Sequence, residues 1–429
     1  MPGRRLCWYL DTQETTQARA AGWHATFRAL RHRNFRLFLI GQVISLVGTW
    51  MQNVAQPWLV YRMTHSELLL GAAAFCVHAP ILFLAPLGGL AADRYPRLRI
   101  VVVAQVCSML QAGALAALTL SGTVRIWHVL ALALALGAIN AFDMPARQAL
   151  FVHMANKEDL LNAISLNSAT FNLARVVGPA LAGFIVAGLG EGACFLLNSL
   201  SFLAVIGYLA AMRLPPMERP APSSPWKHLQ DGFRYAHHNR PVRALLGVSG
   251  AVSICGAPGL VLAPVFADAI FHRGAVGLGL LTTGMGLGAV AGTLGLARRT
   301  EVSGLVGVIA TSSLLMAAGM AAFAWSPSFW LSLAVMPLIG FGIMRHNASA
   351  NTLLQTVVPD HYRGRIMSLY AMMVVGLMPV GSLGAGALAE RIGARGTTFI
   401  AALACLAASL AFRVHIRRFR HSLEKPVTP

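Results

Sequence analysis

The sequence predicts an all-α membrane protein of twelve transmembrane helices in two parallel six-helix pseudo-repeats, and three observations carry that prediction. The chain is 56% hydrophobic and only 11% charged, with a mean hydropathy of +0.63, against roughly 25% charged residues in an ordinary soluble domain. Its apolar runs recur at about 20 residues each, the length of one membrane crossing, with short polar gaps between them. The halves also repeat. Ser165-Leu166 matches Ser368-Leu369, Gly178 matches Gly381 and Gly183 matches Gly386, all at one constant offset. His32-Arg33-Asn34-Phe35-Arg36 is echoed by His238-Asn239-Arg240-Pro241-Val242-Arg243.

In chain order, residues 1–34 form a polar, basic arm without the 7–15-residue apolar core of a signal peptide. Trp23, Phe27 and Leu30 on it fit one face of a short surface helix. The first half, 35–213, holds spans near 36–60, 68–91, 99–120, 127–150, 162–187 and 193–212. A linker follows at 214–240. Pro215, Pro216, Pro220, Pro222 and Pro225 crowd it with Ser223 and Ser224, a composition that breaks helices. Trp226, Leu229, Phe233 and Ala236 then recur at helical spacing beside Lys227 and Arg234, which predicts an amphipathic helix on the membrane surface. The second half, 241–413, holds spans near 243–266, 275–297, 303–324, 328–352, 366–388 and 395–413, and 414–429 is a polar tail.

Most of the 34 Lys and Arg lie on the side that holds the arm, the linker, the tail and the charged turns. The opposite side holds only Arg62, Arg125, Arg273, Arg391 and Arg395, and Arg175 lies inside a span. The positive-inside rule then puts both termini in the cytoplasm. The formal charge of +19 is thus a topology signal joined to an attraction for the lipid bilayer, and no nucleic-acid partner is expected. Enzymatic readings fail too. None of the three lysines, Lys157, Lys227 and Lys425, follows a glycine, so no phosphate-binding P-loop exists, and neither HExxH nor CxxC occurs. Cys7, Cys76, Cys107, Cys194, Cys255 and Cys405 are scattered and read as reduced packing thiols. No catalytic residue, metal site or cofactor is expected. Gly284, Gly286, Gly288, Gly292 and Gly295 lie in an apolar span at spacings that suit close helix packing rather than a nucleotide loop. Parallel six-helix repeats without an ATP site describe a secondary transporter.

Polar residues inside spans mark its candidate cavity. Gln42, Ser45, Thr49, Gln52, Asn53 and Gln56 share one face of the first span; Asn162, Ser165, Ser168, Asn172 and Arg175 do the same in the fifth. A shorter stripe, Asn347, Asn351 and Gln355, lies in the tenth. Such faces turn away from lipid, either toward a water-filled substrate path or toward polar partners on other helices. Arg175 is the sharpest of them, because a bare mid-span cation costs about 2.5–3.5 kcal/mol. Its charge calls for an acidic substrate, freed backbone carbonyls near Pro179 or water. Met372, Met373 and Met378 offer an adaptable apolar wall, or ordinary packing. His78, near the centre of its span, and Asp143, near the end of the fourth, are the candidates for proton coupling.

The turn between the second and third spans, Gly89-Leu90-Ala91-Ala92-Asp93-Arg94-Tyr95-Pro96-Arg97, resembles the signature of the major facilitator superfamily. Pro96 stands where that pattern has a glycine, Leu98 takes a basic position, and Arg99 follows one place late. The second half has Gly292-Thr293-Leu294-Gly295-Leu296-Ala297-Arg298-Arg299 at the equivalent place, without the acid. Asn140–Ala149, Val358–Ser368 and Phe171–Pro179 are similar to the branch of bacterial enterobactin exporters and macrolide efflux permeases. The resemblance runs from about Phe27 to Arg413. It implies a major facilitator fold in a bacterial cytoplasmic (inner) membrane, and proton-linked export of a small drug or siderophore-like compound by alternating access. It also implies a conformational latch at Gly89, Asp93, Arg94 and Arg97, extended by Asp143 and Arg147. In it Asp93 caps the eleventh helix, expected to start near Gly364–Ser368, against that helix's positive dipole. The residues themselves also allow a plain solvated turn. They fix neither direction nor driving ion, so an importer, a lipid-type flippase or a transport-dead membrane sensor stay as alternatives.

Overall fold

The computed structural model describes residues 27–151, 154, 156, 158–212, 225–297 and 304–417. The rest of the arm, the proline-rich part of the linker, Arg298 and Arg299 and the end of the tail therefore lie outside the described residues. The first half comprises α1 (Arg33–Thr64), α2 (Glu67–Arg94), α3 (Arg97–Leu120), α4 (Ile126–Phe151), α5 (Leu160–Leu189) and α6 (Glu191–Ala211). A linker helix (Pro225–His238) leads to α7 (Arg240–Ile270), α8 (Gly274–Ala297), α9 (Leu305–Ala324) and α10 (Phe329–Val357). The last continuous stretch, Asp360–His415, is 56 residues long, on the order of 80 Å of helix, enough for two crossings of a ~30 Å hydrocarbon core. Gly393, at φ 77 and ψ 164, breaks it. We term the parts α11 (360–392) and α12 (394–417). Among the described residues the secondary structure is helical, without strands.

Caps, not the ends of the apolar runs, set the helix boundaries, so α1, α2, α7, α10 and α11 outrun the expected spans by about a turn at one end or both. His65, at φ 47, ends α1 in the left-handed region. Ser66 then caps α2 by accepting from the Leu69 N–H at 3.3 Å. Pro96 stands directly before α3 as its N-cap residue, where the missing N–H costs no intrahelical bond. Gly190, at φ 80, ends α5. Asn239 caps α7 through the Val242 N–H at 3.1 Å. For the same reason α11 begins earlier than expected, at Asp360 directly after Pro359.

Lipid supplies little hydrophobic drive between helices, so close contact depends on small residues that let backbones approach. A Cβ on Gly288 of α8 would collide with the Pro337 carbonyl of α10, and one on Gly340 with the Met285 carbonyl of α8. Between the halves, α5 meets α8 at Gly183, 3.2 Å from the Gly279 Cα by its virtual Cβ. By the same measure α2 meets α11 at Gly71, 2.6 Å from the Ser382 carbonyl and 3.1 Å from the Gly386 Cα. Both contacts lie toward one end of the bundle. The other end carries the starts of α1 and α11 and the linker helix, and we call it the basic end.

Ahead of α1, a 3-10 turn (Arg28–Arg31) is tied down at the basic end. Asp159, fully buried at the head of α5, pairs with Arg28 at 2.5 Å, Arg31 at 2.7 Å and His32 at 2.7 Å. The Ala29 N–H donates to Asn162 Oδ1 at 2.9 Å. The hydrogen bond from His32, with the nearby Arg31 and Arg28, holds the Asp159 carboxyl below the usual carboxylate range. Its partners lie about 130 residues earlier in the chain, and no local sequence pattern announces them.

Candidate substrate cavity and its gates

A hollow of about 780 Å³ opens between the halves toward the basic end. One wall comes from α2 and α4, including Leu82, Asn140, Met144 and Gln148; α11 supplies the other with His361, Arg365, Ser368 and Met372. The volume falls within the roughly 300–1,000 Å³ of small-molecule sites. The hollow narrows where a Cβ on Gly376 of α11 would come within 2.6 Å of the Leu82 side chain of α2. A second hollow of about 490 Å³ sits at the opposite end around Trp58, Arg62, Glu191 and Arg273. There Arg62 forms a two-pronged pair with Glu191 at 2.7 and 3.1 Å.

The polar face of α1 divides between two hydrogen-bond networks inside the first half. Gln42 accepts from Arg147 Nη1 at 2.9 Å, and Arg147 grips Asp143 at 2.7 Å. Asp143 in turn accepts from Gln105 of α3 at 3.2 Å. One helical turn separates Asp143 and Arg147, so the sequence placed that pair; Gln42 and Gln105 reach it only through the fold. Deeper in the bundle, Gln52 donates to Gln111 at 3.2 Å and accepts from Asn198 at 2.7 Å. Ser45 and Gln56 are buried too, while Thr49 is half-buried and Asn53 exposed. None of these α1 side chains is on the wall of the 780 Å³ hollow. Gln105 and Gln111, with Ser108 between them, do recur at helical spacing on α3, a signal that could have found them. Asn198 escaped sequence reading because it has no polar stripe around it. His346, fully buried, escaped it in the same way; it bridges Ser313 at 2.7 Å and Ser249 at 3.3 Å.

On α5, Ser165 and Ser168 are exposed, and Asn172 and Arg175 are half-buried. The glycine contacts of α5 with α8 end at Arg175, whose carbonyl lies 2.9 Å from a virtual Cβ on Gly286; Gly288 and Gly292 of α8 face α10 instead. Arg175 thus stands where the two halves begin to part. Its guanidinium lies over Trp50 at 5.4 Å and Phe171 at 5.1 Å, and its buried Nε has no hydrogen-bond partner among the described residues. His78 on α2 likewise keeps a buried, unpartnered Nδ1. In α10, Gln355 donates to Asn351, and the Asn347 carbonyl accepts from the Tyr370 hydroxyl at 2.7 Å. Met372 lines the hollow, whereas Met373 packs on Gly250 of α7.

At the rim, Asp93 and Arg94 are exposed and make no hydrogen bond or ion pair among the described residues. A Cβ on Gly89 would meet nothing within 4 Å, whereas one on Gly88 would run into the Ala141 carbonyl of α4. Arg97 donates to the Ala92 and Ala149 carbonyls at 3.4 Å and so ties the turn to the end of α4. The first turn of α11 is held by the linker helix instead: Asp231 pairs with Arg365 at 3.3 Å, and Tyr235 stacks on Tyr362 at 4.4 Å. Among the described residues Asp93 and Arg94 thus have no partner on α11, whereas Asp143 and Arg147 are paired within α4.

The transmembrane secretion effector family model matches residues 24–426. A staphyloferrin A transporter of Staphylococcus aureus is 24% identical over 391 residues, which cover 91% of this chain and 98% of the relative. An enterobactin exporter, EntS, of Shigella flexneri is 26% identical over 408 residues, with 91% and 94% covered. Among solved structures, the nucleoside transporter NupG superposes with a TM-score of 0.69 at 15% identity, covering 90% of this chain and 99% of that one.

Proposed function

The chain belongs to the transmembrane secretion effector family of major facilitator transporters, and from that premise we propose that it exports a small organic anion, siderophore-like or drug-like, by proton-linked alternating access. One observation carries the substrate class. Arg175 is a cation at mid-span, at the point where the halves part, clasped by two aromatic rings and without a carboxylate partner among the described residues. A guanidinium in a low-dielectric site attracts an anion far more strongly than one in water. Trp50 and Phe171 add faces on which a flat or aromatic group stacks.

In this reading the basic end faces the cytoplasm, both termini lie there, and the membrane is the inner membrane of a bacterium. The open hollow takes up substrate, and the α5 stripe of Ser165, Ser168, Asn172 and Arg175, off the wall of that hollow, meets it as the halves move. The Asp143–Arg147 pair keeps α4 in register with α1 and α3 through Gln42 and Gln105, and Asp93 with Gly89 closes the basic end in the alternate state. Protons enter through Asp143, buried in α4, or His78, half-buried in α2.

The test is accumulation of a panel of siderophores and antibiotics in efflux-deficient cells, comparing wild type, Arg175→Ala and Arg175→Lys at matched membrane abundance, with and without a protonophore. We expect one acidic compound to accumulate less with the wild type, Arg175→Ala and the protonophore to abolish that difference, and Arg175→Lys to keep part of it. Higher accumulation with the wild type would turn the assignment to import. A difference indifferent to Arg175→Ala would remove Arg175 from the path.

A further inference from the structure

Helices α2 and α11 meet across the two halves, and each carries a carboxylate near its far end at the level of the other's start. Glu390, near the end of α11, is seated on the first turn of α2. Its carboxylate accepts from the Leu68 N–H at 2.8 Å and from the Ser66 hydroxyl at 3.2 and 3.4 Å. The Leu68 N–H is one of the four donors that a helix start leaves without an intrahelical partner. The Ser66 oxygen satisfies the next one, Leu69. A residue of the second half thus completes the cap of a first-half helix, and its charge opposes the positive end of that helix.

Asp93 stands in the reverse relation, on the last turn of α2 at the end where α11 begins. It is exposed and unpaired among the described residues, and the space over Gly89 is empty. Between the two carboxylates the helices touch at Gly71 with Ser382 and Gly386, then at Leu82 with Gly376, and the hollow separates them beyond. Two helices splayed on one side of a contact and pinned on the other behave as a lever about it, and α11 has a π-helical turn, Met372–Gly376, at that point. Closing the basic end about Leu82–Gly376 draws the opposite ends apart.

We propose that Glu390 is the counter-latch to Asp93: it holds the opposite end shut while the basic end is open, and releases α2 when Asp93 caps α11. The inference rests on the alternating-access reading. Because Glu390 is exposed, its replacement leaves the core intact, and the effect falls on the balance between states.

The experiment measures the distance between spin labels at Arg99 and His361, exposed positions on either side of the basic end, in a background freed of native cysteines. We expect Glu390→Gln and Glu390→Ala each to raise the short-distance fraction about two- to fivefold, the weight of one charge at a helix start. Asp93→Asn should lower that fraction. Equal thermal midpoints in detergent establish that the variants fold alike. Fractions unchanged in both Glu390 variants, a single unaltered population included, overturn the proposal, as does a shift in the direction of Asp93→Asn. Distances that respond as expected in a protein that exports nothing leave the latch standing and remove the exporter; intact export with unmoved distances does the reverse.

Discussion

Three basic groups from one short segment converge on Asp159, and its carboxylate is fully buried beneath them. Because its pKa in the fold is lowered, first by the His32 hydrogen bond, the stabilisation is complete above the ordinary carboxylate pKa of about 3.9 and is lost as pH falls through the folded value. Asp159→Asn should therefore lower the thermal midpoint at neutral pH, and the gap from wild type should close on acidification below about pH 4. A gap that persists to the lowest pH would assign the effect to shape and not to charge. Local sequence made Asp143 with Arg147 readable as an i,i+4 pair. Asp159 was not readable, because its partners belong to a segment brought there by folding.

Between helices, the glycine spacing of α8 predicted close packing, and the structure distinguishes which glycines supply it. Gly288 has the Pro337 carbonyl where a Cβ would go, while Gly295 has nothing within 4 Å. Gly288→Ala should cost about 1–3 kcal/mol through overpacking. Gly295→Ala should be neutral or stabilising by up to ~1 kcal/mol, from helix propensity alone. Thermal midpoints of the two purified variants check this, and equal shifts would refute it. Spacing exposes a small-residue face but not which neighbour presses on it. The polar stripe of α1 has the same ambiguity. Its period was legible, yet Gln42 and Gln52 engage Arg147, Gln111 and Asn198, partners on α4, α3 and α6 that only packing selects.

At the scale of the whole molecule, the contacts between the halves gather at one end and the 780 Å³ hollow opens at the other. A cysteine at Gln148, exposed on the wall of that hollow, should react with a membrane-impermeant maleimide in inside-out vesicles and stay unreactive in right-side-out ones. A cysteine at Ser382, buried beside Gly71, should react in neither. Equal reaction of the Gln148 position from both sides would contradict a hollow open to one face only.

Composition and periodicity by themselves determined that this chain is a membrane-spanning helical protein of two repeated halves. In lipid every backbone polar group must be satisfied within its own helix, so hydropathy maps almost directly onto spans. The charged turn at Asp93 and the mid-span Arg175 were legible for a related reason: charges are rare at such depths or concentrated at such rims. Tertiary structure alone decided which end is open, that Asp93 is unpaired among the described residues, that Glu390 caps α2, and that Arg175 is held by Trp50 and Phe171. These depend on how two stiff halves lean on one another. That balance is small beside the energy of inserting the helices, and it leaves no periodic trace in the residues.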